Sequence, residues 1–166
     1  MLKIIHAADL HLDSMSAGLP LEKSRELRRE SWDLPDRLAD LALREQADLV
    51  LLSGDLFDGE RVFPEAVERL KAALARMGCP VFIAPGRRDP YTPYSPYAIQ
   101  PWPDNVCIFR EADLAAATLE DLGCVVYGAA FTGPDRTDSP IAGWTAPEDG
   151  MIHLYCLYGD VTASES

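Results

Sequence analysis

The chain has 166 residues, with 27 Asp and Glu against 15 Lys and Arg for a formal net charge of −12, and 48% of it is apolar. That length carries one domain with a proper core, and the apolar share argues against a disordered chain. No apolar run is long enough to span a membrane, and Met1-Leu2-Lys3 leads into a strand with no signal-peptide pattern, so a cytoplasmic protein without membrane contact is expected.

The acidity is uneven: residues 1–83 carry 11 basic and 15 acidic side chains, and residues 84–166 carry 4 and 12. Such a field repels a nucleic-acid backbone, so nucleic acid is expected to bind this chain weakly if at all. Cys79, Cys107, Cys124 and Cys156 are widely spaced and form no CxxC pair. They are expected to be free thiols in a reducing compartment rather than zinc or redox ligands.

Residues 2–8 read as a first strand ending at Asp9, followed by a tight turn carrying His11 and Asp13. A helical region from about Leu21 is interrupted near Asp33-Leu34-Pro35, with Asp33 expected to cap the second helix and Pro35 to sit in its first turn. Leu34, Leu38, Leu41 and Ala42 mark one apolar face at helical spacing. Leu49 to Leu52 is a continuous apolar run, the pattern of a parallel strand buried on both faces, and it stops at Ser53-Gly54 before Asp55 and Asp58. The two strands and the helix between them make a βαβ unit with parallel pairing.

A second unit repeats the pattern. Pro64 opens a helix whose Val67, Leu70, Leu74 and Met77 share a face and which Gly78 ends. Pro80 to Ala84 is a third strand, with Pro85-Gly86-Arg87-Arg88-Asp89 as the loop at its end. Residues 90–103 hold five prolines and three tyrosines, a loop expected to lack regular structure. Short strands are expected at 105–109, 123–131 and 151–157, with a turn-rich stretch from 132 to 150.

Three parallel strands thus end in Asp9-x-His11, Asp55-x-x-Asp58 and Arg87-Arg88-Asp89. Open α/β sheets bind ligands at that edge, and carboxylates meeting an imidazole there suit a divalent metal. A lone strand-end acid is more simply a solvated cap; the combination of Asp9, His11 and Asp55 favours a metal site.

The segments ADLHLD at 8–13, GDLFD at 54–58 and PGRRD at 85–89 resemble the DxH, GDxxD and GNHD motifs of the calcineurin-like metallophosphoesterases. HAADLHLDS, VLLSGDLFDGERV, PVFIAPG and VYGAAF resemble the DNA-repair exonuclease branch of that family most. The resemblance implies a layered α/β sandwich with a βαβαβ amino-terminal half and an incomplete second sheet, in one domain over 1–166. It also implies metal-dependent phosphodiester hydrolysis. Asp9, His11 and Asp55 inherit the roles of first-metal ligands, with Asp55 as the bridge to a second, and Asp89 is expected to orient its loop.

The departures are specific. The GNHD asparagine, a second-metal ligand, falls on Arg87, and the GNHD histidine, an acid or phosphate ligand, on Arg88. In Leu157-Tyr158-Gly159-Asp160, Tyr158 stands where the family's xHG histidine belongs, and no counterpart of the final GHxH motif precedes Ser166. One carboxylate facing two guanidiniums, which stay protonated, cannot hold a second cation. At most one divalent metal is therefore expected (manganese, with magnesium or zinc as alternatives), and two-metal hydrolysis is expected to be lost. For the arginines three readings stand: Arg87 fills the vacated second-metal position against Asp55, both are ordinary loop residues, or Arg87 and Arg88 form a phosphate-binding fork. In the last, Arg88 takes the catalytic place of the family histidine.

His6 is expected to pack at the strand edge and His153 to lie inside its strand, neither as a ligand. Tyr91, Tyr94, Tyr97 and Trp102 admit a base-stacking platform, but a loop packed by its own rings is preferred. Two functions follow: a phosphodiesterase with reduced or one-metal activity, or a non-catalytic binding or assembly module on the same fold. A fragment of a longer protein is a third reading. A sheet ending near Leu157 leaves an edge on which a second copy or a partner protein is expected to pair.

Overall fold

The computed structural model describes residues 1–14, 19–133 and 135–159. Four short strands, β1 (Ile4–Ala7), β2 (Leu49–Ser53), β3 (Val81–Ala84) and β4 (Val106–Ile108), pair in that order as a wholly parallel sheet. The register sets Ala7 beside Leu52 and Ser53 beside Ala84, so three of the four strands end at one level. That alignment brings three sequence motifs to a common edge.

Every residue of β2 and β3 is buried, as expected for central parallel strands covered on both faces. Helices α1 (Leu21–Trp32), α2 (Leu34–Glu45) and α3 (Pro64–Arg76) make the crossovers. Val50, Leu52, Val81 and Ile83 face Ala39, Ala42, Val67, Leu70 and Leu74 of α2 and α3 in one core. The alternate residues Leu49, Leu51, Phe82 and Ala84 form a second core with Phe109, Cys124, Val126 and Cys156. Full burial of one such leucine contributes roughly 1.5–3 kcal/mol, so the two sides of β2 hold the layers together.

The second core belongs to a three-stranded sheet of β5 (Ala115–Leu119), β6 (Cys124–Gly128) and β7 (Ile152–Cys156), in that order. Strand β5 runs antiparallel to β6, and β7 runs parallel to it.

Several local expectations change. Asp33 makes no side-chain cap; its backbone is helical, and its carboxylate lies 3.9 Å from Arg69. On α2 the fully buried residues are Pro35, Ala39 and the expected Ala42, while the expected leucines are half-buried and Leu38 packs against the core. The proline-rich loop contains a single helical turn, α4 (Pro96–Ile99), because proline fits a first helical position. Strand β5 was absent from the expected elements altogether.

Candidate metal centre

Beyond their strands, the first two loops run side by side. The backbone N–H of Asp9 donates to Gly54 O at 3.0 Å, that of His11 to Asp55 O at 3.0 Å, and that of Leu12 to Leu56 O at 2.8 Å. The loops meet this spacing with left-handed backbone at four non-glycine positions: Asp9 (φ 55°), His11 (φ 44°), Asp13 (φ 68°) and Asp55 (φ 51°). Each costs on the order of 1 kcal/mol. Such strain persists only where surrounding bonds over-determine it, and Asp13 has those bonds: its carboxylate accepts the Phe63 N–H and pairs with Arg28 at 3.4 Å.

Asp89 does the same for the Asp55 loop. It is fully buried, and its two oxygens accept the backbone N–H groups of Asp55, Leu56, Phe57 and Gly86 at 2.8–3.1 Å. The Tyr97 hydroxyl donates to it as well, at 2.5 Å. Burial pushes its carboxyl up to about 6, against these hydrogen bonds, which favour the charged form. Burial, with the charge of Asp89 beside it, also raises the Tyr97 phenol, which stays a donor. Tyr97 stacks on Trp102 at 5.7 Å, so these two rings of the aromatic loop pack on each other. Tyr94 remains 79% exposed.

One ligand atom each of Asp9, His11 and Asp55 lies within 4.8 Å of the other two. His11 Nε2 is 3.8 Å from Asp9 Oδ1, and on the other side of the ring Nδ1 is 3.3 Å from Asp58 Oδ1. That approach lacks hydrogen-bond alignment, yet the carboxylate favours the proton on Nδ1 and leaves the Nε2 lone pair toward Asp9. Two carboxylates and an imidazole fit a divalent ion of the manganese, magnesium or zinc type. Asp9 is open to solvent and Asp55 is 2% exposed, so the trio joins an accessible face to a buried anchor.

The arginines lie elsewhere than beside the Asp55 carboxylate. Arg87 reaches Asp135, with Nη2 3.3 Å from Oδ1. Arg88 Nη1 donates to Asp58 Oδ1 at 3.0 Å, and only its backbone N–H reaches Asp55, at 2.9 Å on Oδ1. The place expected for a guanidinium is taken by the Tyr158 hydroxyl, which donates to Asp55 Oδ2 at 2.9 Å. The expectation of an Arg87 plug is thus corrected: a neutral donor reaches the buried carboxylate with less desolvation than a guanidinium does. Asp160, at the end of the Leu157–Asp160 segment, lies outside the described residues.

His6 Nε2 meets Ser53 Oγ at 3.1 Å at the sheet edge. His153 stacks on Tyr127 and bonds its hydroxyl, away from the trio. Asp58, expected only as the second acid of its motif and given no role there, collects His11, Arg88 and Ser14. Its fixed spacing from Asp55 was the available signal.

The calcineurin-like phosphoesterase family profile matches residues 2–160. The chain is 30% identical to the uncharacterized metallophosphoesterase YhaO of Bacillus subtilis over 99% of its own length and 42% of that protein's. It is 36% identical to the DNA double-strand break repair protein Mre11 of Aeropyrum pernix over 54% of this chain and 21% of that one. A component of the nuclease SbcCD of Rhodobacter capsulatus is 29% identical over 82% of this chain and 29% of that protein. The chain therefore spans less than half the length of these relatives.

Proposed function

The chain belongs to the calcineurin-like phosphoesterase family, and on that premise we propose that it hydrolyses phosphodiesters slowly, at a single divalent ion held by Asp9, His11 and Asp55. The observation that carries this reading is the convergence of three ligand atoms within 4.8 Å at the carboxyl edge of the parallel sheet. A divalent ion bound there supplies Lewis acidity and lowers the pKa of coordinated water.

The chain's own residues supply the rest. Asp58 places its charge behind the His11 ring, 3.3 Å from Nδ1, and Asp89 fixes the backbone that presents Asp55. Arg88, anchored on Asp58 by one nitrogen, stands at the rim as a phosphate contact that balances developing charge. Arg87, the residue before it on the loop and paired with Asp135, is the second phosphate contact. Likeness to a DNA-break repair protein and to a nuclease supports nucleic acid as the source of the phosphodiester. The net charge of −12 supports weak retention of that substrate by this chain alone. Four free cysteines support a reducing, cytoplasmic setting.

A second reading is a binding module on the same fold. It is favoured by Asp55, whose two oxygens already accept protein donors, and by β7, which ends the order of its sheet and offers an edge to a second copy or a partner. Manganese-dependent hydrolysis of bis-p-nitrophenyl phosphate separates the two. Turnover that vanishes in Asp55→Ala supports the enzyme; turnover absent from the wild type, or unchanged in the variant, rejects it.

A further inference from the structure

Gly54 carries φ +80°, and a Cβ there would lie 2.5 Å from Tyr158 Cδ2, so the Tyr158 ring rests directly on the glycine before Asp55. Phe131 meets the same ring in a T-shaped contact, with centroids 5.5 Å apart. From this seat the hydroxyl donates to Asp55 Oδ2 at 2.9 Å, while Oδ1 accepts the Arg88 backbone N–H at 2.9 Å. The carboxylate is thus held at both oxygens, by donors 103 and 33 residues away in sequence.

We propose that Tyr158 is a positioning residue for metal binding: its hydroxyl sets the rotation of the Asp55 carboxylate toward Asp9 and His11, and its ring reserves that carboxylate for one cation. The proposal rests on the reading of Asp9, His11 and Asp55 as ligands. A carboxylate oxygen has two lone-pair directions, so a hydroxyl donor on one leaves the other for a metal. Held at one end only, by Arg88 N–H, the carboxylate would turn, and the alignment with His11 Nε2 would be lost on average. Hydrogen-bonded partners of ligating carboxylates typically govern about 10–100-fold in metal affinity.

The test is titration of the metal-free chain with Mn²⁺, followed by calorimetry and electron paramagnetic resonance, on the wild type and Tyr158→Phe. Phenylalanine keeps the ring on Gly54 and against Phe131 and removes only the hydroxyl. The expected result is one ion per chain in both, bound about 10–100-fold more weakly by the variant, with the thermal midpoint of the metal-free variant unchanged. Equal affinity overturns the proposal, as does a fall in affinity matched by a fall in the metal-free midpoint. Two ions per wild-type chain overturn it too, whereas no ion bound by the wild type overturns the metal reading beneath it.

Discussion

Asp89 accepts the backbone N–H of Asp55 at 3.0 Å, and this bond ties the loop after β3 to the loop after β2 at the residue that anchors the site. The same carboxylate accepts three more backbone N–H groups and the Tyr97 hydroxyl. A loop with left-handed backbone at Asp55 is thereby over-determined by one buried acceptor.

Asp89→Ala leaves four backbone donors and a phenol without that acceptor. With each buried orphan costing about 1–3 kcal/mol and partial relief from water, the expected loss of folding stability is about 3–5 kcal/mol in a urea titration. Asp89→Asn keeps one acceptor oxygen and is expected to lose about half as much. A loss under about 1 kcal/mol for the alanine variant would contradict the role given to Asp89.

Gly86 approaches Asp55 more closely than any side chain allows. A Cβ there would lie 2.3 Å from Asp55 Oδ1 and 2.5 Å from its backbone nitrogen. Gly86→Ala must displace the carboxylate, and the expected outcome is a Mn²⁺ affinity at least about tenfold weaker by calorimetry. Unchanged affinity would mean that Asp55 is not a ligand in its present position.

Asp58→Asn removes the charge that faces His11 Nδ1 and holds Arg88. The variant is expected to bind Mn²⁺ about 10–100-fold more weakly, because the ring loses its preference for presenting Nε2. The Arg88–Asp58 pair is largely exposed on the arginine side, so its own contribution to stability is small. A melting temperature close to that of the wild type is the expected companion result.

Cys156 lies fully buried between the sheets, and burial pushes its thiol up to about 11. Raised above the ordinary 9.0, the group contributes stability that is full below pH 9 and lost as pH rises through 11. Native-state alkylation at about pH 8, below the ordinary thiol range, is therefore expected at exposed Cys107 before Cys156, read by mass spectrometry of the digest. Equal rates would mean that the sheets do not pack as described.

Much of the fold was legible because central parallel strands are wholly apolar and end abruptly, as Leu49–Leu52 does before Gly54-Asp55. Strand β5 was not, since its alanine-rich and largely exposed residues carry no period and its place is set by pairing with β6. The trio of Asp9, His11 and Asp55 was legible from local motifs. The partners of Asp55 were not, because Tyr158 comes from 103 residues away and Arg88 uses its backbone rather than its side chain. Arg87 likewise turns to Asp135, a pairing 48 residues apart that no local pattern encodes.

The most direct test of the one-metal site is an anomalous difference map from crystals of the chain grown with Mn²⁺. One peak is predicted among Asp9, His11 and Asp55, with Tyr158 still on Asp55 Oδ2. No peak among these residues, or a second peak between Asp55 and Tyr158, would contradict it.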